Sequence, residues 1–233
     1  MNKENKTVII TGASGNLGNA VTKTFLNKGY KVIATAINEK EKKDLPVHEN
    51  LHTEIVDLSN EEAAASFIQT SINSHGKIDA TMMLVGGFAP GSILETKSED
   101  IKKQIALNFE TAYHVARPVF QHMLGNNSGR LIFIGARPAL VASQGKNLIA
   151  YGLSKSLLFK LAEYLNAEAK GKNVTATVVA LSTLDTDLNR KSMPDTNPDN
   201  WVKPEAAAEV LEFICSDIGS PLRETVLKVY NNA

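Results

Sequence analysis

Cysteine is almost missing from this sequence: Cys215 is the one thiol in 233 residues. A single thiol excludes an internal disulfide framework and cannot by itself build a cysteine-based metal site. In the apolar stretch LeuGluPheIleCys it reads as a small core residue. An excess of either charge is missing too. The 25 basic residues balance 25 acidic ones, so there is no electrostatic case for nucleic acid or an anionic membrane as partner. No apolar run approaches the roughly 18 residues of a membrane helix, and the run within residues 1–10 is too short for a secretory signal. No H-x-x-x-H or H-E-x-x-H spacing is read among His48, His52, His75, His114 and His122, nor do they pair with cysteine, and no metal site is expected of them. Repeats, linkers and low-complexity tracts are also lacking. What remains is 43% hydrophobic and 21% charged residues, ordinary globular usage. The reading is a soluble, cytoplasmic protein with a large core.

What is present is an alternation of β-rich runs and helical stretches. Residues 6–10 read as a strand and 16–28 as a helix, with Leu17, Val21 and Phe25 forming one apolar stripe. Gly29 supplies the stop, and strands follow at 30–35 and 51–56. Ser59 and Glu62 have the spacing of a capping box for a helix to about residue 74. Further strands are expected at 79–85, 130–134, 174–181 and 225–230, and further helices near 100–124, 150–170 and 204–216. Strict alternation, with strands apolar on both faces, predicts a Rossmann-type α/β fold: a doubly wound parallel sheet in a single domain, 1–233.

Between the first strand and the first helix stands ThrGlyAlaSerGlyAsnLeuGly (11–18). Its position gives the motif its weight. Gly12 permits a tight turn, Gly15 lets the backbone approach a pyrophosphate, and Gly18 allows close helix–sheet packing. The helix N-terminus offers N–H groups and a positive dipole to phosphates. An acid at the end of the second strand would select NAD, but Ala36 occupies that place. Asn38, Lys40 and Lys42 could meet the 2′-phosphate of NADP, or simply form a solvated face. The balance leans to NADP over NAD.

Tyr151 and Lys155 stand four apart in TyrGlyLeuSerLys, on one face of a helix. A nearby ammonium favours the phenolate and should bring the tyrosine toward the working range of acid–base catalysis. With the glycine loop, AspLeu at 57–58, GlyGly at 86–87 and Asn108, this pair makes the sequence resemble the short-chain dehydrogenase/reductases over nearly its full length. By that resemblance Tyr151, Lys155 and Asn108 are catalytic. Asn108 would hold a water in a proton relay, and Lys155 would also grip the nicotinamide ribose. Asp57 and Leu58 would border the adenine, and Gly86 and Gly87 would line the cofactor cleft. Gly12, Ser14, Gly15, Asn16, Leu17, Gly18, Ala36 and Thr183 would complete the cofactor site. The plainer alternatives are that Asp57 starts a helix and Asn108 is a polar core residue.

The sequence departs from that family at its catalytic serine, whose place falls to Pro138 in GlyAlaArgPro (135–138). Ser143 is either its substitute or only a loop serine. A narrower resemblance, to the dihydropteridine reductases, rests on residues 183–194 with Trp201, on ValGlyGlyPheAlaProGly (85–91), and on GlyAlaArg (135–137). Those enzymes use a Tyr–Lys pair without the serine, because a conjugated C=N substrate does not need it. Phe88 then becomes a stacking surface for a flat ring, and Arg190 and Lys191 either meet an anionic group or face water. Ala36 and Asn108 do not follow that branch. Three readings stand: a reductase of a pterin-like small molecule, a general carbonyl or alcohol oxidoreductase, and a non-catalytic nucleotide sensor. The family resemblance also makes the helices at 100–124 and 150–170 the contact surfaces of a homodimer or homotetramer.

Overall fold

The computed structural model describes residues 6–232. Residues 1–5, half of the stretch judged too short for a secretory signal, lie outside the described residues, as does Ala233. Strand β1 (Thr7–Thr11) leads through the glycine loop into helix α1 (Asn16–Asn27), which Gly29 ends at a φ of 84°. Then follow β2 (Lys31–Ala36), α2 (Glu39–Lys43), β3 (Leu51–Ile55), α3 (Glu61–His75) and β4 (Ala80–Met83). The second half comprises α4 (Ser98–Ile105), α5 (Thr111–Gly125), β5 (Ser128–Ala136), the short α6 (Ala142–Gly145) and α7 (Ile149–Glu168). It closes with β6 (Asn173–Leu181), α8 (Asp187–Ser192), α9 (Pro204–Cys215) and β7 (Val226–Val229).

The strands form one seven-stranded sheet in the order β3-β2-β1-β4-β5-β6-β7, and every pairing is parallel. Side chains alternate across a strand, so β1 feeds two cores. Ile9 joins Phe67, Val115, Met123 and Phe159 from α3, α5 and α7. Val8 and Ile10 join Val21, Phe25, Leu211 and Ile214 from α1 and α9 on the opposite face. The strand order reverses beside β1, whose neighbours are β2 and β4. Crevices at such a switch point, above the carboxyl ends of the strands, are where open α/β sheets bind ligands.

Three expectations are corrected. The helix after β3 is capped by Asn60, whose side chain accepts from Ala63 N. Ser59 is not the cap, because Asp57 Oδ1 captures both its N–H and its hydroxyl. The long helix near 100–124 is interrupted by a π turn at Ala106–Glu110 between α4 and α5. Strand β4 stops at Met83, short of residue 85, because Leu84 N turns away to donate to Thr11 Oγ1 at 3.1 Å. Three short helices also went unforeseen: α2 within the charged stretch, α6 before the Tyr–Lys helix, and α8 within the 183–194 segment.

Candidate active site

The glycine loop lies at the switch point. Gly12 has a φ of 62°, and a Cβ there would stand 3.0 Å from Val85 N, just past β4. Only glycine accepts both constraints. A Cβ on Gly18 would fall 2.1 Å from Gly12 O, so α1 starts closer to the loop than any side chain allows. Gly15 is exposed, and a Cβ there would meet nothing nearer than Gly12 O at 3.4 Å. It is also the N-cap of α1, with no side-chain cap, so the first N–H groups of the helix remain available to an anion. Asn16 is exposed beside it. Leu17 is a core residue, and its side chain faces away from the loop's open side.

The second cluster lies across the crevice. The π turn carries Asn108, 1% exposed, to the GlyGly turn after β4. Its Oδ1 accepts from Gly87 N at 2.9 Å and its Nδ2 donates to Gly87 O at 3.0 Å. The same Nδ2 faces Gln104 Oε1 at 2.9 Å and Ser154 Oγ at 3.1 Å, and Ser154 donates to Tyr151 O at 2.8 Å. Lys155, 5% exposed, donates to Ile134 O at 2.9 Å. A Cβ on Gly86 would sit 2.6 Å from Asn108 Oδ1 and 3.1 Å from Lys155 Nζ. Without a methyl, the amide oxygen and the ammonium pack directly against the main chain of the turn, and these polar groups together with the uncapped start of α1 fit a dinucleotide.

Burial governs the electrostatics here, which corrects the expected effect of the lysine on the tyrosine. Loss of water pushes the Tyr151 phenol up to about 12 and the Lys155 ammonium down to about 8, because both charged forms lose hydration. The two residues share α7, but Lys155 Nζ is engaged by the carbonyl of Ile134 on β5. The Tyr151 ring instead meets Phe88 edge-on, centroids 5.2 Å apart.

Other expected residues are more scattered. Ala36 is buried at the end of β2. Asp57 is exposed, and its carboxylate, held below the usual range by Ser59, secures the turn before α3. Leu58 belongs to the core. Thr183 follows β6 and accepts from Val202 N at 2.9 Å. Ser143 is exposed on α6. At the end of β5, Arg137 lies over the Tyr230 ring, 4.9 Å from its centroid. Arg190 pairs with Asp185 through two bonds of 2.6 and 2.8 Å, while Lys191 is exposed. Trp201 is 3% exposed, a buried residue rather than part of an open pocket.

The histidines need a correction of a different kind. HisGluAsnLeuHis (48–52) does have H-E-x-x-H spacing, yet it forms a turn and the start of β3. The spacing brings two imidazoles within reach of one ion only in a helix, where the residues lie one turn apart. His48 Nδ1 accepts from Asn50 N, and His52 pairs with Glu54. Among the described residues no group of three His, Cys, Asp or Glu side chains is placed to hold a metal ion.

Sequence reasoning missed Ser154, Gln104 and Glu41. Ser154 lies inside the quoted TyrGlyLeuSerLys, and Gln104 precedes Asn108 by one helical turn, so both carried a spacing signal. Glu41, whose Oε2 accepts from Ser14 Oγ at 2.6 Å, carried none beyond the capping of α2.

A doubly wound sheet with a glycine turn at its switch point defines the structural class. The family is more specific: residues 6–197 match the short chain dehydrogenase model, and the chain belongs to that family of oxidoreductases. It is 29% identical to an acetoacetyl-CoA reductase of Acinetobacter sp. (strain RA3849), over 76% of this chain and 73% of that one. It is 28% identical to a dihydropteridine reductase of Dictyostelium discoideum, over 96% and 94%. Among solved structures, ElxO with NADP bound superimposes with a TM-score of 0.89 at 22% identity, covering 97% of both chains. No helix among the described residues is long and apolar enough to cross a membrane.

Proposed function

We propose that residues 1–233 form a single dinucleotide-binding domain, and that the protein is an NAD(P)H-dependent reductase of a quinonoid dihydropteridine or similar conjugated ring. The pairing of Phe88 with Tyr151, beside a strand end without a hydroxyl, carries the choice of substrate. A ketone gains from a donor that stabilises its developing alkoxide. A conjugated C=N system spreads that charge and leaves a nitrogen for Tyr151 to protonate. Phe88, 64% exposed, stands in T-shaped contact with the Tyr151 ring and offers apolar aromatic surface suited to stacking on a planar heterocycle. The Dictyostelium relative, named a dihydropteridine reductase, matches over 96% of this chain and supports the same choice.

A reduced nicotinamide, when bound, supplies the hydride. Gly12, Ser14, Gly15, Asn16, Leu17 and Gly18 would hold its pyrophosphate side, chiefly through backbone N–H groups. Ala36, Asp57 and Leu58 would border the adenosine, and Gly86, Gly87 and Thr183 would line the cleft beyond. Tyr151 keeps its proton at neutral pH, since burial raises its pKa, and holds it at Oη for the substrate nitrogen. Lys155 remains mostly protonated at pH 7 even with its pKa near 8, and serves the ribose hydroxyls. Asn108 is given a positioning part instead of a water relay. Its two amide hydrogens already face three acceptors, on Gly87, Gln104 and Ser154.

A general carbonyl reductase is the second reading, favoured by the acetoacetyl-CoA reductase of Acinetobacter at 29% identity. In it Ser143 or a water replaces the serine. Rates with a quinonoid dihydropterin against acetoacetyl-CoA separate the two: faster turnover of the pterin supports the first reading, and turnover of the thioester alone supports the second.

The protein is also proposed to work in the cytoplasm as a homodimer or homotetramer. On the outer faces of α5 and α7, Tyr113, Phe120, Leu161, Tyr164 and Leu165 line an open groove. Leu153, at 51%, and Tyr164, at 66%, are exposed apolar residues of α7. A second copy is the natural cover for such a face.

A further inference from the structure

At the carboxyl end of β2 the strand itself brings no acid, because its last residue is the buried Ala36. An acid arrives from the helix that follows. Asn38 caps α2, its Oδ1 accepting from Glu41 N at 2.9 Å. That turn directs Glu41 back toward the glycine loop, where its Oε2 accepts from Ser14 Oγ at 2.6 Å and from Ile37 N at 3.5 Å. Glu41 is half-buried, whereas the other four residues of α2 are exposed. The loop and strand end are themselves joined, with Gly12 N donating to Thr35 Oγ1 at 3.4 Å. The carboxylate is therefore anchored between the phosphate-binding turn and the end of β2.

We propose that Glu41 is a specificity-determining residue of the cofactor site: it accepts from the adenosine ribose hydroxyls, excludes a 2′-phosphate, and makes the protein selective for NADH. This rests on the dinucleotide reading above. An acid near the end of the second strand binds the ribose diol in this fold class, and here a helix turn delivers it. Both contacts of Glu41 fall on Oε2, which leaves Oε1 to accept from a hydroxyl. A phosphate brought to the same place meets a carboxylate, and juxtaposed like charges are a strong means of rejection. The groups that would compensate are turned elsewhere. Lys40 and Lys42 are exposed and, as immediate neighbours of Glu41 on a helix, do not share its face. Asn38 uses its amide oxygen on the cap. The lean to NADP drawn from Ala36 is thereby reversed.

Titration calorimetry of the purified protein with NADH and with NADPH tests this directly, alongside Glu41→Gln and Ser14→Ala. The wild type is expected to bind NADH at least about tenfold more tightly than NADPH. Glu41→Gln should shrink that ratio about tenfold, with NADH weakened and NADPH strengthened. Ser14→Ala should shift it the same way by less, since it frees the carboxylate without removing it. A wild type that prefers NADPH or binds the two equally overturns the role of Glu41 and leaves the dinucleotide reading intact, as does an unchanged ratio in Glu41→Gln. Binding of neither dinucleotide overturns both.

Discussion

Asn108 grips Gly87 by both polar groups of its main chain, accepting from the N–H at 2.9 Å and donating to the carbonyl at 3.0 Å. The contact joins a π turn between two helices to the loop after β4. It continues through Ser154 to the backbone of Tyr151. Replacing Asn108 by leucine leaves the Gly87 groups and Gln104 without these partners in a buried place. The expected loss is about 1–3 kcal/mol of stability, read from urea unfolding, together with a fall in kcat larger than any change in cofactor Kd. Asn108→Asp should rescue little, because the donor arm to Gly87 and Ser154 is lost.

Gly86→Ala should damage the same place from the other side. Its Cβ would stand 2.6 Å from Asn108 Oδ1 and 3.1 Å from Lys155 Nζ. Inserting even a methyl into packed surroundings costs about 1–3 kcal/mol. Cofactor binding measured by calorimetry should weaken about tenfold or more, and an alanine variant that binds as the wild type does would show that the close packing at Gly86 is not needed for the cofactor.

Lys155 makes stability depend on alkaline pH in a predictable direction. Its folded pKa, about 8, lies below the unfolded value near 10.4. Between these limits the unfolded chain carries more protons, so this residue makes the protein more stable as pH rises from about 8 to 10. Below pH 8 the burial penalty is constant. Tyr151 acts the opposite way, but only above pH 10, where the unfolded phenol ionises first. The difference in unfolding free energy between wild type and Lys155→Met should therefore move in favour of the wild type from pH 8 to pH 10. A difference that stays flat over that range contradicts the buried ammonium.

Leu157 lies on the exposed face of α7 at 38% exposure, between Leu153 and Tyr164. Leu157→Glu puts a charge into the proposed contact between copies and should convert the assembly to monomers in light scattering after size exclusion. An unchanged mass would exclude α7 as the contact.

Much of this site was legible because its chemistry is local. Gly12 and Gly18 announce a turn and a close approach that depend on their own backbone, and Tyr151 and Lys155 share a helix face by spacing alone. The sheet followed from strands apolar on both faces. What stayed hidden depends on distant partners. Ser59 looked like a cap until Asp57 took its hydroxyl and passed the cap to Asn60. The break in the helix near residue 106 has no proline or glycine to mark it, and its reach to the GlyGly turn appears only in three dimensions. The pKa of Tyr151 was judged from the nearby lysine, whereas burial, which no spacing reveals, governs both groups. Glu41 belongs to a charged run that resembles a solvated face, and its meeting with Ser14 needs the fold of α2.

The most direct measurement is oxidation of NADH and NADPH by the purified protein with quinonoid dihydropterin generated in the cuvette, with Tyr151→Phe alongside. The reductase reading predicts turnover that falls at least about a hundredfold in the phenylalanine variant, while calorimetry shows nearly unchanged cofactor affinity. Undiminished turnover in Tyr151→Phe, or bound cofactor without any pterin turnover in the wild type, would contradict it.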